Sequence, residues 1–476
     1  MAIKSIIGRD AEIKALEKVY TSSKSEFVAV CGRRRIGKTF LIKEFFEGKF
    51  TFTMAGLAKG DTKEQLANFN HSIERQFPNV PSKAASNWLD AFERLIHCLS
   101  SVKKKRKIVF LDELPWMDTH KSNFVMALEH FWNGWAYLRS DIVLIVCGSS
   151  TSWMMDKLIN NHGGLHNRLT KGLFLHPFNL YETEKLLQRQ GLDLSRYEIA
   201  ECYMILGGIP YYLNMLDADK SLAQNIDTLL FDKQGELHHE FDNLYAALFK
   251  NSEDYVAVVT ALSAKRGGLT RDELAKCTDL TSGGGMSKIL NNLVSCGFVR
   301  VYQDMASGKK NIYQLVDFFT LFYFQFMKGK SSYGNGFWTG IQGTPKYNAW
   351  AGFGFELLAL HHIVQMKKRL GISGVMTEEF AWRKFSEEGK GAQVDLVMLR
   401  KDKTINLCEM KFYEGAYNID RKENENLRNR IASFRQDLNK PSYSIRLTMV
   451  TTFGLVKGKY NDIVADQVIL EDLFEN

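Results

Sequence analysis

The chain has 476 residues, too many for one ordinary domain, which predicts about three or four folding units. Hydrophobic residues make up 45% and charged residues 24%, a composition that excludes a long disordered or low-complexity chain. The net charge of +8 is compatible with a polyanionic partner but is too small to establish one. Because the sequence has no stretch of about 18 uninterrupted apolar residues and no cleavable leader, we expect a cytoplasmic protein without a membrane partner.

The first motif in the chain is a glycine-rich loop between a short apolar strand and a helix. Residues 26–30 predict the strand, and the run FLIKEFFEG predicts the helix. Between them lies GRRRIGKT, which in this context is typical of a phosphate-binding loop, or P-loop. Lys38 should reach the β- and γ-phosphates of ATP, and Thr39 should bind magnesium. The residues expected to contact the nucleotide are Gly32, Arg33, Arg34, Arg35, Ile36, Gly37, Lys38 and Thr39.

A second apolar run, KIVFLDELPW at residues 107–116, ends in two acidic residues. We expect Asp112 to hold magnesium and Glu113 to orient or deprotonate the attacking water. Such a run can also be a simple boundary between a strand and a loop. Its plausible distance from the P-loop favours the catalytic interpretation.

A third apolar run, DIVLIVC at residues 141–147, is followed by Gly148, Ser149 and Ser150. The carboxyl ends of parallel strands meet at one edge of a sheet, so Ser149 could sense the γ-phosphate there. Serines after strands are also ordinary turn formers, and from these residues alone both interpretations remain open.

Together these segments resemble the archaeal-type ATPase family, a group of AAA+ and STAND-like P-loop ATPases. The resemblance rests on IIGRDAEIKALEKVY, CGRRRIGKT, FLDELPWM, VCGSS, LHNRLT and LGGIPYYL, which occupy the first half of the chain in the family's order. It implies that Ser149 is the sensor residue and that Arg9 and Glu12 lie near the nucleotide. It also implies that Arg168 contacts phosphate from the same or a neighbouring subunit, although Asn167 replaces the usual preceding glycine.

The middle of the chain predicts helices at residues 252–264, 270–276 and 287–295, then strands at 297–302 and 311–315. Three helices followed by a hairpin describe a winged helix. The hairpin tip, residues 306–310, is basic and suits phosphate contact. Since the third helix is mostly apolar, docking of a protein or of another domain remains an alternative to DNA contact.

The C-terminal region changes to a helix followed by strands with acidic residues. Asp395 lies in one apolar strand, while Glu409 and Lys411 lie on the next, two residues apart and therefore on one face. The short RKDKT turn between the strands allows hairpin pairing to bring Asp395 and Glu409 together. Two acids that hold magnesium, with a lysine acting on water or phosphate, could form a phosphodiesterase. An E-x-K pair can also be a salt bridge.

Asp395 followed by Glu409 and Lys411 resembles the D and ExK elements of the PD-(D/E)XK nuclease superfamily. Glu356, in the run FGFELLALHH, matches an acidic residue that many members carry on their first helix, whereas Val394 stands where proline is common. The resemblance implies that Glu356, Asp395, Glu409 and Lys411 are catalytic and that Asp395 and Glu409 bind magnesium. The region also resembles a nuclease-like domain often fused to archaeal-type ATPases.

We therefore expect an α/β multidomain protein with a P-loop parallel-sheet core and a C-terminal restriction-endonuclease-like domain. The predicted boundaries are 1–175 for the ATPase core, 176–245 for a helical lid, 246–330 for the winged helix and 331–476 for the nuclease-like domain. The expected function is an ATP- and Mg²⁺-dependent ATPase coupled to DNA cleavage, and a homo-oligomer or protein partner remains open. The alternative is a STAND-like regulatory ATPase whose C-terminal domain binds DNA or protein without cutting.

Overall fold

The computed structural model describes residues 6–81, 83–159, 167–249, 251–303, 310–329, 336–384, 392–438 and 442–476. The chain divides into two compact units, Met1–His176 and Pro177–Asn476. The first unit contains a parallel sheet, and the second contains two further sheets, which confirms the expected α/β fold with several sheets. Within the described segments, no helix is both long and apolar enough to cross a membrane.

The sheet of the first unit has five parallel strands. They are β1 (Glu26–Cys31), β2 (Phe50–Ala55), β3 (Lys107–Asp112), β4 (Ile142–Cys147) and β5 (Lys171–Phe174). Their order is β2-β3-β4-β1-β5, so β4 lies between β1 and β3. Every residue of β1, β3 and β4 is buried, as expected for parallel strands covered on both faces. The three strands predicted from apolar runs are confirmed.

Helices cover this sheet through a layer of large aromatic side chains. The helices are α1 (Asp10–Thr21), α2 (Lys38–Phe45), α3 (Thr62–Gln76), α4 (Trp88–Ser101), α5 (Leu114–Met117), α6 (Phe124–Phe131) and α7 (Thr151–Met154). Trp88 of α4 packs against Phe124 of α6 with ring centroids 4.8 Å apart. Both rings are buried, so α4 and α6 pack against each other in the core of this unit. Single π-helical turns follow α6 and α7, at Trp132–Ala136 and Met155–Ile159.

The second unit begins with helices and continues through a mixed region. Its helices are α8 (Leu180–Arg189), α9 (Arg196–Leu206), α10 (Pro210–Leu213), α11 (Leu222–Ile226), α12 (Glu240–Leu248), α13 (Ser252–Ser263), α14 (Arg271–Cys277), α15 (Gly284–Ser295), α16 (Phe318–Phe322), α17 (Phe337–Ile341), α18 (Pro345–His361), α19 (Ile363–Arg369) and α20 (Arg421–Asp437). Further π-helical turns lie at Asp227–Phe231 and Tyr323–Met327, and short 3-10 turns lie at Asn461–Ile463 and Leu470–Phe474. Helices α8 to α12 occupy the region predicted as a lid.

A small antiparallel sheet accompanies α13, α14 and α15. Its strands are β6 (Leu269–Thr270), β7 (Val299–Gln303) and β8 (Asn311–Leu315), in the order β6-β8-β7. The three helices and two strands predicted for this region form within a few residues of their expected bounds. Most of the predicted basic tip, residues 306–309, lies outside the described residues, whereas Lys310 is described and exposed.

The last sheet carries the predicted C-terminal site. Its strands are β9 (Thr377–Lys384), β10 (Ala392–Arg400), β11 (Thr404–Lys411), β12 (Ser444–Thr451) and β13 (Val464–Ile469), in the order β13-β12-β11-β10-β9. β9, β10 and β11 pair antiparallel, whereas β11, β12 and β13 pair parallel. Leu396 opposite Cys408 is the pair at one end of the register of β10 and β11, and Asp395 and Glu409 adjoin this pair at the same end of the hairpin. The predicted hairpin between these two strands is therefore present.

Candidate nucleotide site and C-terminal acidic site

The P-loop connects β1 to α2 through two glycines with left-handed backbone angles. Gly32 has φ of 142° and Gly37 has φ of 88°. A Cβ atom on Gly32 would lie 2.4 Å from Cδ1 of Ile36 and 2.5 Å from the carbonyl oxygen of Leu175. A side chain at position 32 would therefore collide with the Ile36 side chain and with the backbone that follows β5. Gly37 immediately precedes α2, whose first N–H groups have no partner within the helix and are the usual ligands of a phosphate.

Lys38 is held inside this loop by backbone oxygens. Its ammonium nitrogen Nζ donates to the carbonyls of Gly32 at 2.9 Å and Arg33 at 3.0 Å. The carbonyl of Ile36 accepts a bond of 3.2 Å from the Arg9 guanidinium, which ties the residue preceding α1 to the loop. The ammonium thus sits at the loop's inner edge, from which it can transfer to phosphate oxygens.

The three arginines of the loop differ in exposure and backbone geometry. Arg33 is buried, while Arg34 and Arg35 are half-buried. Arg35 has φ of 74°, a left-handed value that is uncommon for a residue with a side chain. The whole predicted segment from Gly32 to Thr39 therefore forms one continuous loop and helix start, as the sequence pattern predicts.

Asp112, at the end of β3, lies next to the first turn of α2. The Thr39 hydroxyl donates to Oδ2 of Asp112 at 2.8 Å, and the backbone N–H of Glu113 donates to Oδ1 at 2.9 Å. A hydroxyl and a buried carboxylate in contact provide the hard oxygen ligands that magnesium prefers, so this pair fits the metal. Thr39 and Asp112 are thus brought together as the motif predicts.

Cys147 also contacts Asp112, which sequence reasoning did not foresee. Its thiol donates to Oδ1 of Asp112 at 2.6 Å. Burial, followed by the charge of Asp112, raises the pKa of Cys147 well above its usual value, so the group acts as a neutral thiol donor. The sequence does indicate that Cys147 ends a buried strand. Its contact with Asp112 could not be predicted, because that contact depends on β4 lying next to β3.

Glu113 is held in place by the segment that follows β4. The Ser149 hydroxyl donates to Oε2 of Glu113 at 2.9 Å, and the Ser149 N–H donates to the same oxygen at 3.2 Å. Glu113 itself has left-handed backbone angles, with φ of 47° and ψ of 48°. A Cβ atom on Gly148 would lie 2.6 Å from Cδ of Pro115, so glycine permits this close approach. Ser149 is therefore hydrogen-bonded to Glu113, the glutamate that the sequence predicts to be catalytic.

Arg168 packs against an aromatic ring of the same unit. Its guanidinium carbon is 5.1 Å from the centre of the Tyr137 ring. Among the described residues, no hydrogen bond or ion pair joins it to the P-loop. The preceding Asn167 has φ of 54°, a left-handed value that the usual glycine would adopt without strain.

The C-terminal site is built around Glu409, which is only 5% exposed. Lys411 Nζ lies 3.0 Å from Oε1 of Glu409 and 3.0 Å from Oε1 of Glu423. Arg430 forms an ion pair with the other oxygen, Oε2 of Glu409. Two cations therefore neutralise one buried carboxylate, and two of the contacts come from α20.

The other two predicted acids lie beside Glu409. Burial and then the charge of Glu409 raise the pKa of Asp395, although Gln393 donates to Oδ1 of Asp395 at 3.1 Å. Burial and then the charge of Asp395 raise the pKa of Glu356 on α18. For Lys411, burial lowers the pKa, but the charge of Glu409 and the hydrogen bond and charge of Glu423 together outweigh burial, so the net pKa is raised. The four residues thus converge enough to interact electrostatically.

The C-terminal side chains do not form a ready metal site. Within the described ranges, no group of three or more His, Cys, Asp or Glu side chains is placed so that it could hold a metal ion. Both oxygens of Glu409 are engaged by Lys411 and Arg430. Glu423 and Arg430 were missed in the sequence, although a spacing of seven on a helix places them on one face.

The geometry of the first unit defines its class. A glycine-rich loop between β1 and α2, an adjacent Thr39–Asp112 pair and a parallel sheet with β4 between β1 and β3 are the elements of a P-loop ATPase core. Residues 6–216 match a family model described as an ATPase domain predominantly from Archaea. This part of the chain is therefore an ATPase domain of the archaeal type.

Several known proteins are similar to this chain. An uncharacterised protein of Methanocaldococcus jannaschii is 25% identical over 417 residues, which are 85% of this chain and 87% of that protein. An uncharacterised ATP-binding protein of the same organism is 40% identical over 47 residues, which are 10% of this chain and 80% of that protein. The structure of a Walker-type ATPase of Pyrococcus abyssi aligns with a TM-score of 0.50 at 18% identity, covering 68% of this chain and 97% of that one. This last likeness shows the shared fold.

Proposed function

We propose that the chain is a magnesium-dependent ATPase whose turnover controls DNA cleavage at the C-terminal acidic site. The observation that carries the ATPase part is the contact of Thr39 with Asp112, next to a glutamate held by Ser149. The observation that supports the nuclease part is the hairpin that brings Asp395 close enough to Glu409 for the two charges to interact, with Lys411 in contact with Glu409.

In the ATPase reaction, each P-loop residue has a separate task. Lys38 exchanges its two carbonyl partners for phosphate oxygens and neutralises their charge. Thr39 and Asp112 would hold magnesium, which would supply positive charge to neutralise the phosphates. Glu113 orients the attacking water and accepts its proton. Since Ser149 holds the carboxylate of Glu113, we expect Ser149 to set the position of this base relative to the γ-phosphate.

In the nuclease reaction, Lys411 is the cation best placed to act on a phosphate. Lys411 lies two residues after Glu409 on β11, and its ammonium contacts both Glu409 and Glu423. These two contacts give the ammonium a defined orientation. Asp395 and Glu409 are the candidate ligands of a magnesium ion, which would supply an activated water. Glu409 also forms ion pairs with two cations, Lys411 and Arg430.

The region from α13 to β8 supports a further part of the proposal. Helices α13, α14 and α15 and the sheet β6-β8-β7 follow the element order of a winged helix. Exposed Lys310 immediately precedes β8 at the loop end of the hairpin, which suits contact with a phosphate backbone. We propose that this region binds DNA and presents it for cleavage.

The regulatory alternative remains a second candidate because one observation favours it. Glu409 is fully neutralised by Lys411 and Arg430, an arrangement that a purely structural ion-pair cluster would also show. In that case the C-terminal domain binds DNA or a protein without cutting, and the ATPase cycle acts as a switch.

One experiment separates the two candidates. Purified protein is incubated with linear, circular and branched DNA, with and without Mg²⁺ and ATP, beside the variants Lys38→Ala and Asp395→Asn. The nuclease proposal expects cleavage that needs Mg²⁺, is lost in Asp395→Asn and loses its ATP dependence in Lys38→Ala. DNA binding without cleavage under any metal would favour the regulatory alternative, and cleavage by Asp395→Asn at the wild-type rate would refute the site.

A further inference from the structure

Three aromatic rings are stacked at the end of the C-terminal sheet that carries Lys411. Phe412 directly follows β11, and Phe453 lies two residues after the end of β12. The Tyr197 ring of α9 is nearly parallel to both. Its centroid lies 4.6 Å from that of Phe412, with 18° between the planes, and 5.9 Å from that of Phe453, with 14° between the planes.

This aromatic stack extends from the core to the solvent. Phe355 of α18 is fully buried, and its ring centroid lies 5.4 Å from that of Phe412. Phe412 and Tyr197 are half-buried, whereas Phe453 is 52% exposed. Burial would stabilise an apolar ring of this size, so a half-exposed phenylalanine at the end of an ordered stack is typical of a binding surface.

The backbone that carries Phe453 is fixed to the end of β11. Thr451 lies opposite Lys411 in the parallel register of β11 and β12. The Thr452 hydroxyl accepts a bond of 3.2 Å from the Tyr413 N–H and donates to the Tyr413 carbonyl. The aromatic stack therefore lies at the same end of the sheet as the lysine of the acidic site.

The charges near Phe453 favour an anionic partner. Residues 452–460 contain two lysines, Lys457 and Lys459, and no acidic residue, and both lysines are exposed. Glu414 is an acid whose charge, after burial, raises the pKa of Tyr197, so this tyrosine is a neutral ring at physiological pH. An exposed aromatic ring beside cations suits a single-stranded nucleic acid, whose bases stack on the ring while its phosphates meet the cations.

We propose that Phe453 stacks on an unpaired base of a single-stranded nucleic acid and so places the adjoining backbone at the end of β11 that carries Lys411. Bases inside a duplex are covered on both faces by their neighbours, so a protruding ring stacks on a base that is unpaired. The inference rests on the DNA-binding part of the proposed function and adds to it the class of substrate, a single-stranded or branched end. Stacking itself involves no metal ion.

The test measures binding by the full chain to a labelled single strand of about 12 nucleotides, followed by fluorescence anisotropy in EDTA so that no cleavage occurs. An abasic strand of the same length keeps the phosphates without the bases, a duplex of the same sequence has its bases paired, and an RNA strand distinguishes RNA from DNA. Wild type is compared with Phe453→Ala and Phe453→Trp. Tyr211→Ala is the matched control, since Tyr211 is a comparably exposed aromatic residue of α10 in the same unit.

We expect Phe453→Ala to bind the single strand roughly five- to a hundredfold more weakly than wild type, while Phe453→Trp and Tyr211→Ala bind as wild type does. The abasic strand should bind weakly and equally to wild type and Phe453→Ala, because it offers no base to the ring. Should Phe453→Ala not fold, Phe453→Leu keeps an apolar side chain without an aromatic face and should show the same loss.

Two results would overturn the inference. One is equal binding of the single strand by wild type and Phe453→Ala, and the other is an equal loss on the abasic strand, which would show that the base is not contacted. DNA cleavage by wild type in Mg²⁺ would then leave the nuclease proposal standing. Base-dependent binding through Phe453 without cleavage under any metal would support the inference while the nuclease proposal fails. Absence of single-strand binding by wild type would overturn the inference and favour a protein partner for these rings.

Discussion

Lys38 and Glu113 serve different steps of the proposed ATPase reaction, so their substitutions should separate binding from turnover. Lys38→Ala removes the cation that neutralises the phosphates, and we expect ATP affinity to fall roughly a hundredfold or more. Glu113→Gln keeps the size and the Ser149 contact but cannot accept a proton, so ATP should still bind while kcat falls roughly 10²- to 10⁴-fold.

Both variants are measured by titration calorimetry with ATP and by phosphate release. Lys43→Ala is the control for Lys38, because Lys43 is an exposed lysine on the same helix and should change neither quantity. Wild-type ATPase rates in both Lys38→Ala and Glu113→Gln would refute the assignment of the site.

Substitutions of Lys411 and Asp395 should likewise separate metal binding from DNA cleavage at the C-terminal site. Asp395→Asn removes a charged oxygen ligand and should weaken Mg²⁺ binding. Lys411→Ala should leave metal binding near normal, or slightly tighter, yet suppress DNA cleavage by roughly two orders of magnitude or more, since the lost cation acts on water or phosphate. Metal titration and a cleavage assay on the same preparations check this, and a Lys411→Ala protein that cuts normally would contradict it.

At the scale of elements, His362 joins the end of α18 to the start of α8. Its Nε2 accepts a bond of 2.9 Å from the Leu180 N–H, and its Nδ1 donates to the Leu358 carbonyl at 2.8 Å. Burial lowers the pKa of His362 from 6.5 to about 4. The ring is therefore neutral in the folded protein, and protonation would break its contact with α8.

This contact predicts a dependence of stability on pH. The unfolded chain takes up a proton below about pH 6.5, while folded His362 does so only near pH 4, so its contribution is complete above pH 6.5 and declines as the pH falls between these values. At about pH 5 we expect the second unit to lose about 2 kcal/mol relative to neutral pH.

Urea unfolding at both pH values checks this loss of stability. His362→Gln retains a hydrogen-bond acceptor without a titrating ring, so the loss should shrink in that variant. His361→Gln changes the neighbouring exposed histidine and should retain the loss. An identical pH dependence in His362→Gln and wild type would show that His362 does not cause it.

The order of strands in the first sheet decides which residues meet at the nucleotide site. β4 lies between β1 and β3, so Cys147 reaches Asp112 and Ser149 reaches Glu113. In the sequence these pairs are separated by about 35 residues, and an apolar run alone does not state which strand it will join. The three strands were predictable, whereas their neighbours were not.

At the scale of the whole molecule, a substitution of Arg168 tests whether ATP hydrolysis needs a second copy of the chain. The structure places Arg168 over Tyr137, without a contact to the P-loop among the described residues. If Arg168 acts on a neighbouring subunit's ATP, Arg168→Ala should lower kcat by roughly 10³-fold and change ATP affinity little.

A mixing experiment gives the sharper result. Lys38→Ala subunits retain Arg168 but cannot bind ATP, and Arg168→Ala subunits bind ATP but lack the arginine. Mixing the two inactive proteins should restore part of the phosphate release, because a Lys38→Ala subunit supplies Arg168 to its neighbour. No recovery together with a loss of ATP binding in Arg168→Ala would make Arg168 a contact within one subunit.

The P-loop could be predicted from the sequence because its chemistry is local. Eight consecutive residues, Gly32 to Thr39, carry the glycines, the lysine and the threonine, and the strand and helix on either side are recognisable from their own residues. Two other features are short-range in the same way. One is the acidic pair Asp112 and Glu113, and the other is the hairpin whose strands carry Asp395 and Glu409.

Tertiary structure alone decided which partners these residues have. Ser149 holds Glu113 because parallel strands from distant parts of the chain become neighbours, and Arg430 neutralises Glu409 because α20 packs beside the β10–β11 hairpin. A buried charge takes the counter-charge that packing brings nearest, and packing depends on contacts between segments far apart in sequence. The sequence therefore determined which chemical groups each site contains, and the fold determined which side chains contact those groups.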